Sequence, residues 1–395
     1  MIRYLIAIPF LLFNLLLVAQ MSTTKLSGIQ LSKFSNPVIT SVPFLMISPD
    51  SKQGAMGDLG AATDPEMSAT HWNGSKLAFI DKRFGVGFTL TPWLRSLVPN
   101  INMIYFSSFV KINSKKALSG SIRYFELGNI NLINGQGINS GTFKPNEWSI
   151  DLMFSQKISE YFAIGVATRL IQSSICKVYY NGSNANSATA FAIDLSMYFK
   201  SKQFKLLNKI SNATIGLAIT NLGSKINYSN DQNFIPTNMR LGSGLKINLH
   251  KSNSLGLYMD FNKLLVPTPP IYETNINAIT GKRDILAGKD PDVNALKGVI
   301  QSFYDAPGGW REELKEIQIS SGLEYWFYNA CALRTGFFYE DKTKGQRQYF
   351  TFGLGYKYKI VTIDASYLKP IQLRSPLQNT WRISLSFLFG SIKKN

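Results

Sequence analysis

Cysteine and histidine are nearly missing: Cys176, Cys331, His71 and His250 are the whole supply in 395 residues. A disulfide framework and a Cys/His metal centre find no support in such a set. Nucleophilic hydrolysis needs a Ser or Cys with a base held beside it. No Gly-x-Ser-x-Gly elbow occurs, and neither histidine carries a recognisable Ser or Asp constellation. We therefore expect no catalytic residues, no metal and no cofactor. Charge is scarce as well, at 17% of residues, against roughly a quarter in soluble proteins. Something other than a charged surface must cover part of this molecule. Acidic charge is the scarcer sign, 24 Asp plus Glu against 42 Lys plus Arg, a formal +18. Nucleic acid is the reflex partner for that balance, but the basic residues are dispersed through turns and strand ends. Anionic lipid headgroups, lipopolysaccharide and a basic lumen or rim account for it instead.

Long apolar runs are missing too, outside the start. Met1-Ile2-Arg3 supplies one positive charge, Leu5 to Ala19 is almost purely apolar, and Ser22-Thr23-Thr24-Lys25 is polar. This is the layout of a signal peptide, assigned here to 1–20. No stop-transfer cluster follows, and no cysteine near the cut offers a lipid anchor. No later segment reaches the eighteen or so apolar residues of a helical span. An exported chain without a helical anchor is either soluble or a barrel, and strand patterning decides.

What is abundant is aromatic residues, with 26 Phe and 18 Tyr, and alternation. Phe162, Ile164, Val166, Thr168 and Leu170 form one face of a run, while Tyr161, Ala163, Gly165, Ala167 and Arg169 form the other. Similar runs place Glu324, Arg334 and Arg382 among small residues opposite apolar ones. In a membrane barrel those charges line the lumen. About fourteen such runs occur, an even number as single-chain barrels require. Connections alternate tight and long, except that 201–212 breaks the parity. The expected fold is all-β: a single transmembrane antiparallel β-barrel of about fourteen strands. Its parts are a periplasmic or plug segment 21–84, a barrel 85–390, a long external insertion 264–315 and a tail 391–395. Both termini should be periplasmic, and Cys176 and Cys331 fall on opposite rims.

Residues 41–80 carry no strand pattern and are rich in Gly and Ala. A plug or hatch inside the lumen fits them, with Asp50, Gly54, Met56, Gly57, Asp58, His71, Trp72 and Asn73 as its marked residues. Thr63-Asp64-Pro65-Glu66 predicts a helix start. Asp50 and Asp58 either cap turns or pair with lumen Arg169, Arg334 or Arg382. In the insertion, Pro267, Pro269, Pro270, Tyr272, Phe303, Tyr304, Pro307 and Trp310 are rigid or aromatic, the types that anchor interfaces at small entropic cost. A self-packed loop is the alternative. Glu312, Glu313, Lys315 and Glu316 suggest a short amphipathic helix.

The stretches Phe44-Leu45-Met46-Ile47-Ser48-Pro49-Asp50, Gly54-Ala55-Met56-Gly57-Asp58 and His71-Trp72-Asn73 resemble the PorV family of type IX secretion. Thr91-Pro92-Trp93-Leu94-Arg95, Pro267-Thr268-Pro269-Pro270, Asp305-Ala306-Pro307-Gly308-Gly309 and Arg347-Gln348-Tyr349-Phe350 extend the resemblance over the mature chain. It implies a FadL-like fourteen-stranded barrel with an N-terminal hatch, although Asn73-Gly74-Ser75 stands where that family often has Asn-Pro-Ala. It further implies a carrier of cargo C-terminal signal domains. The implied partners are a giant translocon barrel and a surface attachment complex with a PorU-like signal protease. The competing expectation is a FadL-like outer-membrane channel for hydrophobic small molecules.

Overall fold

The computed structural model describes residues 35–391, apart from Pro99 and residues 134–135, 176–178, 181–182, 185–186 and 229–230. The expected signal peptide, Cys176 and the residues beyond Ser391 lie outside the described residues. The barrel strands are β1 (Lys82–Pro92), β2 (Ile101–Lys111), β3 (Lys116–Leu127), β4 (Asn146–Lys157), β5 (Phe162–Ser174), β6 (Ala188–Lys200) and β7 (Lys209–Gly223). They continue as β8 (Asn238–His250), β9 (Asn253–Leu264), β10 (Gln318–Phe327), β11 (Cys331–Tyr339), β12 (Gln348–Tyr358), β13 (Val361–Pro370) and β14 (Thr380–Ser391). Each pairs antiparallel with its chain neighbours. β1 closes on β14, with Phe84 opposite Phe389 and Leu90 opposite Ile383. The sheet is a closed barrel, which leaves no edge strand unpaired.

Alternation sets the two faces. On β5, Ala163, Gly165, Ala167 and Arg169 are buried toward the lumen, while Ile164 and Val166 point outward and are exposed. Phe106 on β2 and Phe352 on β12 face outward in the same way. An apolar outer wall is the surface that hydrocarbon covers. Among the described residues no helix is long and apolar enough to cross a membrane.

The parity break at 201–212 has a local cause. Phe204–Leu206 pairs with Lys209–Ser211 across Leu207 and Asn208, both at positive φ. That is the signature of a two-residue hairpin turn. β7 therefore begins at Lys209, four residues before the run read from sequence, and the connection is extended hairpin rather than loop. Further along, the β6–β7 register shifts between Ile193 and Leu195. The bulge turns Asn221, at φ 59°, into the lumen, where its backbone N–H donates to Asp194 at 2.7 Å.

The segment before β1 threads the lumen as short turns: α1 (Ser51–Gly54), α2 (Ala69–Trp72) and 3-10 turns at Pro43–Met46 and Gly74–Phe79. The predicted helix start at 63–66 is corrected: no helix begins there. Those side chains tie the segment down instead, Glu66 to Lys76 at 2.6 Å and Asp64 to Lys246 at 2.5 Å. The insertion between β9 and β10 folds into a hairpin (Ile271–Ile276 with Arg283–Ala287), then α3 (Ala295–Gln301) and α4 (Trp310–Lys315). We call the first segment the hatch and the second the cap.

Candidate functional site

The hatch is held by polar contacts around most of the wall. Ser51 N donates to Ser384 Oγ at 2.9 Å, Gly57 N to Thr351 Oγ1 at 2.8 Å, and Gly60 N to Asp260 Oδ2 at 2.7 Å. Asn73 Nδ2 donates to the Met197 carbonyl at 2.9 Å, and Arg123 Nη1 to the Leu45 carbonyl at 3.0 Å. Backbone approach is close enough that the wall needs glycine. A Cβ on Gly216 would sit 1.9 Å from the Ala61 carbonyl oxygen, and one on Gly336 would sit 2.1 Å from the Met56 carbonyl carbon. This spacing leaves room for no side chain.

The marked hatch residues have distinct jobs. Asp50 caps α1, accepting from Gln53 N at 3.0 Å and from Trp72 Nε1 at 2.8 Å. It meets none of the three lumen arginines. Asp58 does, lying 3.3 Å from Arg382 and accepting from Tyr349 Oη at 2.6 Å. Arg169 and Arg334 pair with wall carboxylates, Arg169 with Asp151 and Asp194, Arg334 with Glu324 and Asp364. Gly54 lies against the Arg382 side chain, and Met56 fills the space over Gly322 and Gly336. His71 stands edge-on to Trp72, 4.6 Å between ring centres, with its Nδ1 2.7 Å from Arg123 Nη2. A guanidinium only donates, so Nδ1 accepts and the ring is neutral. Arg240 stacks on the other ring, 4.9 Å from the centre of Trp72, and donates to the His71 carbonyl. His250 is exposed at the end of β8. Neither histidine is placed for chemistry.

Cavities lie on both sides of the hatch. Toward the long connections is one of about 750 Å³, with Trp72, Asp58 and Arg240 at the hatch and Phe125, Leu127, Leu264, Phe338 and Pro370 among its walls. Toward the short turns is one of about 310 Å³, lined by Asp50, Lys52, Glu66, Arg334 and Asp364 among others. Lys76, fully buried, bonds the Gly60 carbonyl and Thr63 as well as Glu66 and locks the hatch between them.

The cap splits the predicted interface set. Pro267 and Pro270 are buried in its base, and Pro269 and Pro307 are half-buried. Proline there fixes the path where the chain leaves β9. Tyr272, Phe303, Tyr304 and Trp310 are exposed, Trp310 at 69%. Sequence reasoning missed their neighbours: Ile276, Ile279, Leu286, Leu296 and Ile300 are exposed as well, Ile279 at 95%. For Ile276 the available signal was its place on the same strand face as Tyr272, ahead of the Thr280-Gly281 turn; Ile279, Leu286, Leu296 and Ile300 carried none. The base is fixed electrostatically. α4 forms as expected and turns Glu312 and Glu313 inward, with Glu316 just beyond it. Lys263 on β9 contacts Glu313 at 3.0 Å and Glu316 at 2.5 Å; Lys344, from the β11–β12 connection, contacts Glu312 at 2.6 Å and Glu316 at 2.9 Å. Asp305 accepts from Thr268 N at 3.2 Å. Burial, with Glu313 and Glu316 nearby, pushes its carboxyl up to about 6.

Solved structures with similar barrels share little sequence. The toluene transporter TbuX of Ralstonia pickettii is 11% identical at a TM-score of 0.46, with 87% of this chain and 98% of that one covered. The CymD monoaromatic hydrocarbon channel is 10% identical at 0.49, covering 89% and 99%. A FadL homologue of Pseudomonas aeruginosa is 12% identical at 0.43, covering 90% and 100%. A search of curated proteins finds no match. The family described as type IX secretion system protein PorV matches residues 31–271, from ahead of the hatch to the first residue of the cap hairpin. The chain belongs to the PorV family of type IX secretion system proteins and is an outer-membrane β-barrel.

Proposed function

We propose that this barrel receives exported proteins by their C-terminal signal domains at the type IX translocon and carries them to the surface attachment complex, where a PorU-like protease acts. The observation that carries the reading is the cap. It presents Tyr272, Ile276, Ile279, Leu286, Phe303 and Trp310 to solvent on a base held by Lys263 and Lys344. Exposed apolar groups on a loop clear of the lipid-facing wall suit an interaction surface. Rigid aromatic anchors suit a protein partner, because little side-chain freedom is lost on contact. The hatch complements this, since a lumen filled by buried polar tethers serves docking without passage.

The second reading is a channel for hydrophobic small molecules. One observation favours it: the 750 Å³ cavity has Phe44, Phe125 and Phe338 in its lining, within the size range of small-molecule sites. The experiment that separates the two is affinity purification of tagged protein from outer membranes in mild detergent, followed by mass spectrometry. Recovery of a giant barrel, a surface protease and exported proteins sharing a C-terminal domain supports the shuttle. Recovery of the barrel alone under several detergents, with uptake restored in a transport-deficient strain, supports the channel.

A further inference from the structure

The surplus positive charge is gathered at one end of the barrel. Lys82 and Arg83 open β1, and Lys115 and Lys116 sit at the β2–β3 turn. Lys202, Lys205 and Lys209 lie on the β6–β7 hairpin, Lys251 in the β8–β9 turn and Lys359 in the β12–β13 turn. Arg83, Lys115, Lys202, Lys205, Lys209, Lys251 and Lys359 are exposed; Lys82 and Lys116 are half-buried. Asp81 and Glu160 are the exposed acids at this end among the described residues. None of the nine cations takes part in an ion pair among the described residues, whereas inward-facing Lys246 is neutralised by Asp64.

The opposite end is built differently. There Lys263 and Lys344 are matched by Glu312, Glu313 and Glu316, Arg347 by Glu340 and Lys225 by Asp292. The cap interleaves both signs, as in Arg283-Asp284 and Lys289-Asp290. The net charge of +18 is thus carried disproportionately by the short-turn rim.

Rim cations sit beside aromatic side chains, of which Phe84, Phe389 and Tyr358 are exposed on the outer wall and Tyr161 is half-buried at its turn. Phe84 and Phe389 stack at 5.8 Å near the β1–β14 seam. Lys359 stands 5.2 Å from the ring centre of Tyr358, and Lys202 stands 5.4 Å from that of Tyr161. Aromatic residues at a barrel end mark the boundary between hydrocarbon and headgroups. Lysine one or two residues beyond it carries its ammonium to the phosphate level while its stem stays on apolar surface.

We propose that this rim binds anionic phospholipid headgroups of the periplasmic leaflet and holds a shell of them around the barrel. The distribution selects lipid over an acidic protein. The cations occupy five separated places around the closed sheet, at β14–β1, β2–β3, β6–β7, β8–β9 and β12–β13, and the lipid leaflet is what surrounds a barrel on all sides. Each contribution is modest, and contributions from cations near an anionic surface add. The binding does not depend on what the cap carries.

The full-length barrel in nanodiscs of mixed phosphatidylethanolamine and phosphatidylglycerol, released into native mass spectrometry, tests this. Wild type retains phosphatidylglycerol over its share of the bilayer by about threefold or more, an effect that salt weakens. The variant K202Q/K205Q/K209Q/K251Q/K359Q falls to near parity while keeping its heat-modifiable mobility on gels, which reports the closed barrel. The control K282Q/R283Q/K297Q, in the cap, keeps the wild-type enrichment. Enrichment unchanged in the rim variant overturns the proposal. So does parity in wild type, and an acidic periplasmic protein that then binds wild type but not the rim variant would reassign the rim to that protein.

Discussion

The hatch and the cap are of similar length, and both interrupt the barrel pattern, yet they solve opposite problems. The hatch buries polar groups and ties them to each other and to the wall: Asp50 to Gln53 and Trp72, Lys76 to Glu66 and carbonyl oxygen, Asn73 to the wall. The cap leaves apolar groups in solvent: Ile276 at 64%, Ile279 at 95%, Leu286 at 66%. Buried polar groups cost free energy unless paired, so each hatch tether is needed for closure. Exposed apolar groups on a loop clear of the lipid-facing wall contribute little to the resting fold, and they are the groups the proposed partner would use. Sealing fits the first segment, and the proposed recognition of a partner fits the second.

The largest break in that comparison should come from the wall glycines. Gly216→Val cannot coexist with the Ala61 carbonyl, so the hatch unseats while the fourteen strands stay closed. The variant should conduct ions in planar bilayers where wild type is silent. A silent variant with unchanged hydrogen exchange in residues 50–76 would contradict the packing described.

Next comes the buried tether. Lys76→Met leaves the Glu66 carboxylate, the Gly60 carbonyl and Thr63 without their common donor. Breaking one side of a buried ion pair costs about 3–5 kcal/mol, here read as lost protection of the hatch in hydrogen exchange. The cap base should lose less. Lys344→Ala removes contacts to Glu312 and Glu316, while Lys263 still holds Glu316, and nicking by protease between 271 and 310 should rise several-fold.

Substitutions on the cap surface should sharpen the contrast further. Ile279→Ser and Leu286→Ser should change barrel stability by no more than about 0.5 kcal/mol while weakening partner binding. A matching loss of stability would mean that the cap packs on itself.

The smallest effect is on pH. Asp305 is raised to about 6 in the folded cap from an unfolded value of about 3.9. Between those values the folded form holds more protons, so docking of the cap base weakens as pH rises through roughly 4 to 6 and is flat above. Protease nicking should be slower at pH 5 than at pH 7 through this group, and Asp305→Asn should abolish its share of the difference.

Much of this architecture was legible in the residues. Strand alternation located every barrel strand, because lipid and lumen impose opposite chemistries on adjacent positions. Asp58 with Arg382 was legible as a charge in need of a partner. Gly216 and Gly336 read as ordinary small lumen residues, since nothing local records that another backbone lies against them. Thr63–Glu66 looked like a helix start because capping residues and tethering residues are of the same types. The division of the cap prolines, Pro267 and Pro270 inside and Pro307 half outside, is set by how the cap base folds, which no local pattern records. Ile279 and Leu286 were passed over because lone aliphatic residues in a loop carry no pattern.

The most direct measurement is binding of an isolated cargo C-terminal signal domain to detergent-solubilised barrel, wild type against Tyr272→Ala/Ile276→Ser/Leu286→Ser, with bilayer conductance recorded on the same preparations. The triple variant is expected to lose binding by tenfold or more, about 1.4 kcal/mol, while the pore stays silent. Binding that survives the triple variant but disappears when Gly216→Val unseats the hatch would contradict it and move recognition from the cap into the lumen.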